Sequence, residues 1–147
     1  MTNKEKNIKY ANLIDKMNKA IEEEFYFEAI LLEYAILEDR TESILRHANL
    51  MTIDENGNDL TLNTKIKTIR NNAKFIDPYI KKHLTNDLFK SINEWRIDRN
   101  RVIHSLVTES YTNNEIKKLA LEGKRIIKIM NNKSTLVTNY LDKKKKA

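Results

Sequence analysis

Cysteine is absent from this chain, proline occurs once and glycine twice in 147 residues. The first absence excludes disulfides, thiolate metal sites and a cysteine nucleophile, and it fits a reducing compartment. The scarcity of breakers leaves few places where a helix must stop. Ile, Leu, Lys, Glu and Asn fill most windows, so long helices are expected. No apolar run approaches the length of a membrane span, and the opening MTNKEKNIKY is too polar for a signal peptide. A cytoplasmic location with no membrane partner is the expectation. The length suits one domain, read as a single helical domain over 1–142 followed by a Lys-rich flexible tail over 143–147.

Charge is distributed unevenly. Residues 1–61 carry 7 Lys and Arg against 13 Asp and Glu, net −6, whereas residues 62–147 carry 20 against 8, net +12. A basic second half concentrates polyanions near it, with RNA and DNA the obvious candidates, while a solvated helix face is the plainer account.

Hydrophobic periodicity gives the organisation. Tyr10, Ile14, Met17 and Ile21 recur at helical spacing and predict a first helix from about Asn3 to Glu23. Phe27, Ile30, Leu31, Tyr34, Leu37, Ile44, Leu45 and Ala48 hold one phase in a second, the most apolar of all. Asn56-Gly57 supplies residues that tolerate positive φ, so a turn and a small hairpin are expected there. A calcium loop is rejected, because Gly57 comes too early and the closing bidentate Glu is missing. A third helix is marked by Leu62, Ile66, Ile69, Ala73 and Ile76, with Asp77-Pro78 expected to end it and a connection near Lys82-His83. Leu88, Ile92, Trp95, Val102, Ile103 and Leu106 mark a fourth from about Asn86 to Val107. Thr112-Asn113 caps a fifth, with Asn131-Asn132 as the expected place of a break. The fold class that results is all-α, an up-and-down bundle of four to five helices.

The fourth helix breaks its own pattern. Its phase calls for an apolar residue at position 99, and Arg99 stands there, the kind of local conflict that functional sites produce. The segment Glu94-Trp95-Arg96-Ile97-Asp98-Arg99-Asn100-Arg101-Val102-Ile103-His104 sets an Arg-Asn pair four residues ahead of a His. Cleaving RNA without a metal needs a base for the ribose 2′-OH, an acid for the 5′-oxygen and a cation for the phosphorane charge, and His and Arg fill those roles. Trp95 lies in the apolar phase and reads as a core anchor.

Here the chain resembles the HEPN superfamily, whose ribonucleases share an Arg, four to six residues, then His, often with Asn directly after the Arg. The resemblance implies an all-helical fold with the motif on a late helix. Arg99, His104 and Asn100 would be catalytic: Arg99 for the phosphate, His104 as general acid or base, and Asn100 to orient the site. Arg96 and Arg101 would bind RNA; no metal and no cofactor are implied. A second match, Arg40 and His47, lies on the second helix with six residues between them; Arg99-Asn100…His104, with the extra Asn, a position late in the bundle and the neighbouring cations Arg96 and Arg101, is preferred to it. Some family toxins have Tyr two places after the His, where a nucleotidyltransferase antitoxin modifies it. Leu106 stands there, so that control does not carry over, and the spacing of Tyr111 does not make it a substitute.

On a straight helix, Arg99 and His104 lie roughly 140° apart, so one helix does not easily bring them together. The resemblance implies a homodimer with a composite site. The expected function is a metal-independent endoribonuclease, a toxin or antiviral effector acting on RNA and restrained by a cognate antitoxin, protein or RNA. The alternatives are a non-catalytic HEPN-like module that binds RNA or a nucleotide, and a structural adapter. Glu38 and Asp39 are candidates to orient the site, with a structural ion pair as the plainer account.

Overall fold

The computed structural model describes residues 2–108 and 110–147. Among these the chain is all-helical: α1 (Asn3–Glu22), α2 (Tyr26–His47), α3 (Leu62–Asn71), α4 (Pro78–His83), α5 (Asn86–His104) and α6 (Asn113–Lys146), with a 3-10 turn at Ala73–Phe75. No helix among the described residues is long and apolar enough to cross a membrane.

Short polar side chains start most of these helices by accepting the orphan N–H groups of the first turn. Thr2 accepts from Glu5 N at 3.1 Å while the Glu5 carboxylate accepts from Thr2 N at 2.8 Å, a reciprocal capping box. Thr61, Asp77, Thr85 and Thr112 each accept one first-turn N–H at the start of α3, α4, α5 and α6, without the reciprocal bond. Two helices end in left-handed residues. Glu24 (φ 62) follows α1, with Phe25 N donating to Ala20 O at 2.7 Å and Glu24 N to Ile21 O at 3.1 Å. Asn49 (φ 58) follows α2 with the same pair of bonds one helix on, to Leu45 O and Arg46 O. Both are Schellman caps, a position where Gly or Asn avoids the Cβ strain that Glu24 accepts.

The expected turn is present. Gly57 has φ 80, Ile53 and Asp59 form an isolated antiparallel bridge, and the Asp54 carboxylate accepts from Asn56 N and Asn58 N. Three expectations need correction. Asp77-Pro78 begins a helix instead of ending one, because Pro has its φ preset and no N–H to lose at N1 while Asp77 caps Tyr79 N. That raises the helix count to six, turns Lys82-His83 into helix, and leaves Ile76 exposed beyond the end of α3. Secondly, Asn131-Asn132 does not interrupt α6, whose apolar stripe runs on through Val137 and Leu141. Thirdly, α5 stops at His104, so Leu106 falls past the helix and is exposed, as is Leu31 on α2. The Lys run expected as a tail continues α6 as far as Lys146.

The chain forms two compact units. The first comprises residues 1–36 and 94–127 and buries Met17, Ile30, Ile36, Trp95, Val102, Leu119 and Ile126. Each such side chain contributes about 1.5–3 kcal/mol by leaving water. Trp95 is the expected anchor: it is 2% exposed, and its indole N–H donates to Leu119 O on α6 at 3.0 Å. The second comprises residues 37–93 and 128–147 and buries Leu37, Ile44, Leu62, Ile80, Ile92, Met130 and Val137. Its polar ties include Lys74 Nζ to Ala48 O at 2.7 Å, and Asp77, which accepts from Tyr140 Oη at 2.6 Å and from Lys144 Nζ. Those two donors, Lys144 first, hold the Asp77 carboxyl down at about 2.

Candidate functional site

The C-terminal half of α5 carries the Arg-Asn…His segment, within the first unit. Arg99 is half-buried. Its guanidinium carbon sits 3.9 Å from the centroid of the Tyr34 ring on α2, and its Nη1 donates to Asn100 Oδ1 at 3.1 Å. Its Nε is sealed from solvent without a hydrogen-bond partner. Among the described residues no carboxylate pairs with Arg99, so its charge is met by a π face and an amide oxygen alone. A guanidinium seated this way has lost much of its rotational freedom yet keeps its charge uncompensated, which is the condition of a built anion receptor. Tyr34 was legible only as part of the apolar stripe; nothing in the sequence marked it as the seat for Arg99.

His104 is the final residue of α5 and is exposed. Five positions separate it from Arg99 on a continuous helix, about 7.5 Å along the axis and roughly 140° around it. The half-buried setting of one and the exposure of the other agree with that angular separation. Asn100 is joined to Arg99 by the bond above. Of the flanking cations, Arg101 faces Glu115 in the first turn of α6 at 3.7 Å, and Arg96 is half-buried and partnered.

The competing pair on α2 is engaged otherwise, within the second unit. Arg40 Nε donates to Asp39 Oδ2 at 3.1 Å, and His47 Nδ1 meets Asp142 Oδ1 at 2.7 Å. The first is an ion pair, the plainer account given above for Asp39, and the second a hydrogen bond between the His47 ring and the Asp142 carboxylate. His83 also lies in that unit, with burial first and the Lys133 and Lys82 charges after it pushing its pKa below the ordinary value.

Beside Tyr34 the sequence hid a second feature. Glu33 is fully buried, and neither carboxyl oxygen has a hydrogen-bond partner. Desolvation raises its pKa to about 9 against the opposing pull of Lys124, so the group is a neutral acid at pH 7. Its carboxyl occupies the space that a Cβ on Gly123 would need, 2.2 Å from Oε1, with Trp95 Nε1 2.9 Å from the same point. Gly123 on α6 is there for close approach, not for backbone freedom. The one signal in sequence was a lone acid inside the apolar run AILLEYAIL.

Comparison with protein-family models, curated proteins and solved structures gives no match to this chain.

Proposed function

We propose that the chain is a metal-independent endoribonuclease of the HEPN type, a toxin or antiviral effector that acts on RNA as a homodimer. The observation that carries this reading is the seat of Arg99, a half-buried guanidinium held by Tyr34 and Asn100 with no carboxylate partner among the described residues. The transition state of 2′-OH attack is a phosphorane with extra negative charge on its equatorial oxygens, and a preorganised cation stabilises that charge without moving to meet it. His104 exchanges protons with the 2′-OH or the leaving 5′-oxygen, its exposure leaving it open to a substrate strand. Because Arg99 and His104 point to different sides of α5, a two-fold axis that sets the α5 of one protomer against that of its partner supplies the composite site. A cognate antitoxin, protein or RNA, would restrain the activity by covering that site.

The products are a 2′,3′-cyclic phosphate and a 5′-OH. Incubation of labelled RNA and DNA of one sequence, with EDTA present, tests the mechanism: RNA is cut and DNA is not. Loss of cutting on chelation, restored by magnesium, removes it. The absence of an orienting partner for His104 among the described residues favours one other reading, a non-catalytic HEPN-like RNA-binding module, which RNA binding without cleavage would select.

A further inference from the structure

An open groove of ≈ 590 Å³ lies in the first unit, where the turn between α1 and α2 meets the first turn of α6. Its lining is unusually aromatic for a surface, with Phe25, Tyr26 and Phe27 in succession. Phe25 is 55% exposed, although it occupies the Schellman position whose side chain commonly packs back on its own helix. Beside it, Lys117 Nζ stands 5.9 Å from the centroid of the Tyr26 ring. The lining also includes Glu24 and Glu28, whose side chains bring carboxylate acceptors, and Asn113 and Asn114, whose carboxamides bring donors and acceptors. Asn113 and Asn114 also open α6, so their backbone N–H groups have no carbonyl one turn back. Glu24 is held at φ 62, where Gly would relieve the strain, and it lines the groove.

We propose that this groove is a subsite for a guanine nucleotide unit of single-stranded RNA. An exposed aromatic face offers stacking to any base. Two carboxylates then select for a base edge that presents adjacent donors, and guanine alone offers N1–H together with its N2 amino group to one carboxylate. Adenine and cytosine present one amino group each, uracil one imide N–H. The phosphate is met by Lys117 and by the opening N–H groups of α6. Arg101, on the motif segment of α5, reaches Glu115 in that same turn of α6, so a strand seated in the groove passes beside the motif helix. This assigns a base preference to the ribonuclease proposed above and rests on that reading for the source of its guanine.

Titration calorimetry on the full-length His104→Ala protein, with 5′-GMP, 5′-IMP, 5′-AMP and 5′-CMP as probes, tests the subsite apart from cleavage. The expected result is binding of GMP at least fivefold tighter than of IMP, which lacks the 2-amino group, and tighter still than of AMP or CMP. Phe25→Ala and Glu24→Gly should each weaken GMP at least fivefold, while Glu24→Gly raises Tm or leaves it unchanged. Equal binding of the four nucleotides, parental GMP affinity in both variants, or preference for an arginine-rich peptide over GMP overturns the proposal. RNA cleavage by the parent protein without GMP binding sinks the subsite and leaves the ribonuclease reading standing. GMP binding in the expected order without cleavage by the parent does the reverse.

Discussion

Arg99 and Tyr34 form a cation–aromatic pair, 3.9 Å from guanidinium carbon to ring centroid, that joins the motif helix α5 to α2. An arginine at an apolar position of a helix stripe can extend to water along its own stem. Arg99 is instead half-buried, its guanidinium laid on the Tyr34 ring with Nη1 donating to Asn100 Oδ1 and Nε sealed from solvent.

That seat should be measurable. Tyr34→Leu removes the π face and should slow RNA cleavage about 3- to 30-fold, the range that a cation–π contact of ~0.5–2 kcal/mol allows. Tyr34→Phe keeps the ring and should stay within about twofold of the parent. Equal losses in both variants, read from single-turnover rates, would show that the ring face is not what positions Arg99.

Glu33 makes stability depend on pH. The unfolded carboxyl titrates near 4.5 and the folded one at about 9, so the stabilising balance is fully present below pH 4.5 and is lost as pH rises toward 9. Glu33→Gln should flatten urea-unfolding stability across that window and add on the order of 2–3 kcal/mol at pH 7. Gly123→Ala should cost about 1–3 kcal/mol through its clash with Glu33, and less when Glu33 is already Ala. An unchanged pH slope in Glu33→Gln would mean that Glu33 is ionised in the folded chain.

At the other extreme of pH, Asp77 stabilises through its ionised form. Its folded pKa of about 2 lies below the ordinary 3.8, so the contribution is present above pH 3.8 and disappears as pH falls through about 2. Asp77→Asn keeps a side-chain oxygen to cap Tyr79 N but loses the charge facing Lys144. Stability measured from pH 5 down to 2 should therefore fall less steeply in the variant; parallel curves would argue that the Lys144 contact is idle.

Subunit sharing has a distinct signature. Arg99→Ala and His104→Ala proteins, each inactive, should regain part of the activity when unfolded together and refolded as a mixture, since a heterodimer holds one intact set of both residues. No recovery at a protein concentration where dimers form would favour sites confined to one chain, or a symmetric cleft that needs both copies of each residue.

The helices were largely legible in the sequence because period, caps and scarce breakers agreed. The Thr112-Asn113 and Asn56-Gly57 signals both describe local chemistry, whereas the capping box at Thr2 was not picked out. What escaped was decided by tertiary context or by ambiguous punctuation. Pro78 serves equally as a terminator or as a first helical residue, and the choice fell to Asp77 acting as a cap. Asn131-Asn132 reads as a break only if the flanking apolar stripe does not outweigh it. Arg99 was conspicuous as a violation of phase, whereas its seat on Tyr34, 65 positions away along the chain, was not. Lys144 in an unremarkable Lys run reaches Asp77, a pairing that no local pattern marks.

The central claim is that the motif on α5 cuts RNA. Its most direct measurement is the cleavage rate of one labelled single-stranded RNA, in EDTA, by Arg99→Ala, His104→Ala, Arg40→Ala and His47→Ala proteins whose Tm values are recorded alongside. Arg99→Ala and His104→Ala should lose cleavage entirely while remaining folded, with Tm nearly unchanged in His104→Ala and lowered by no more than several degrees in Arg99→Ala, because a catalytic pair acts on the transition state more than on folding. Arg40→Ala and His47→Ala should keep most of it while they remain folded. Parental rates in Arg99→Ala and His104→Ala, or activity lost only in the Arg40 and His47 proteins, would contradict the account.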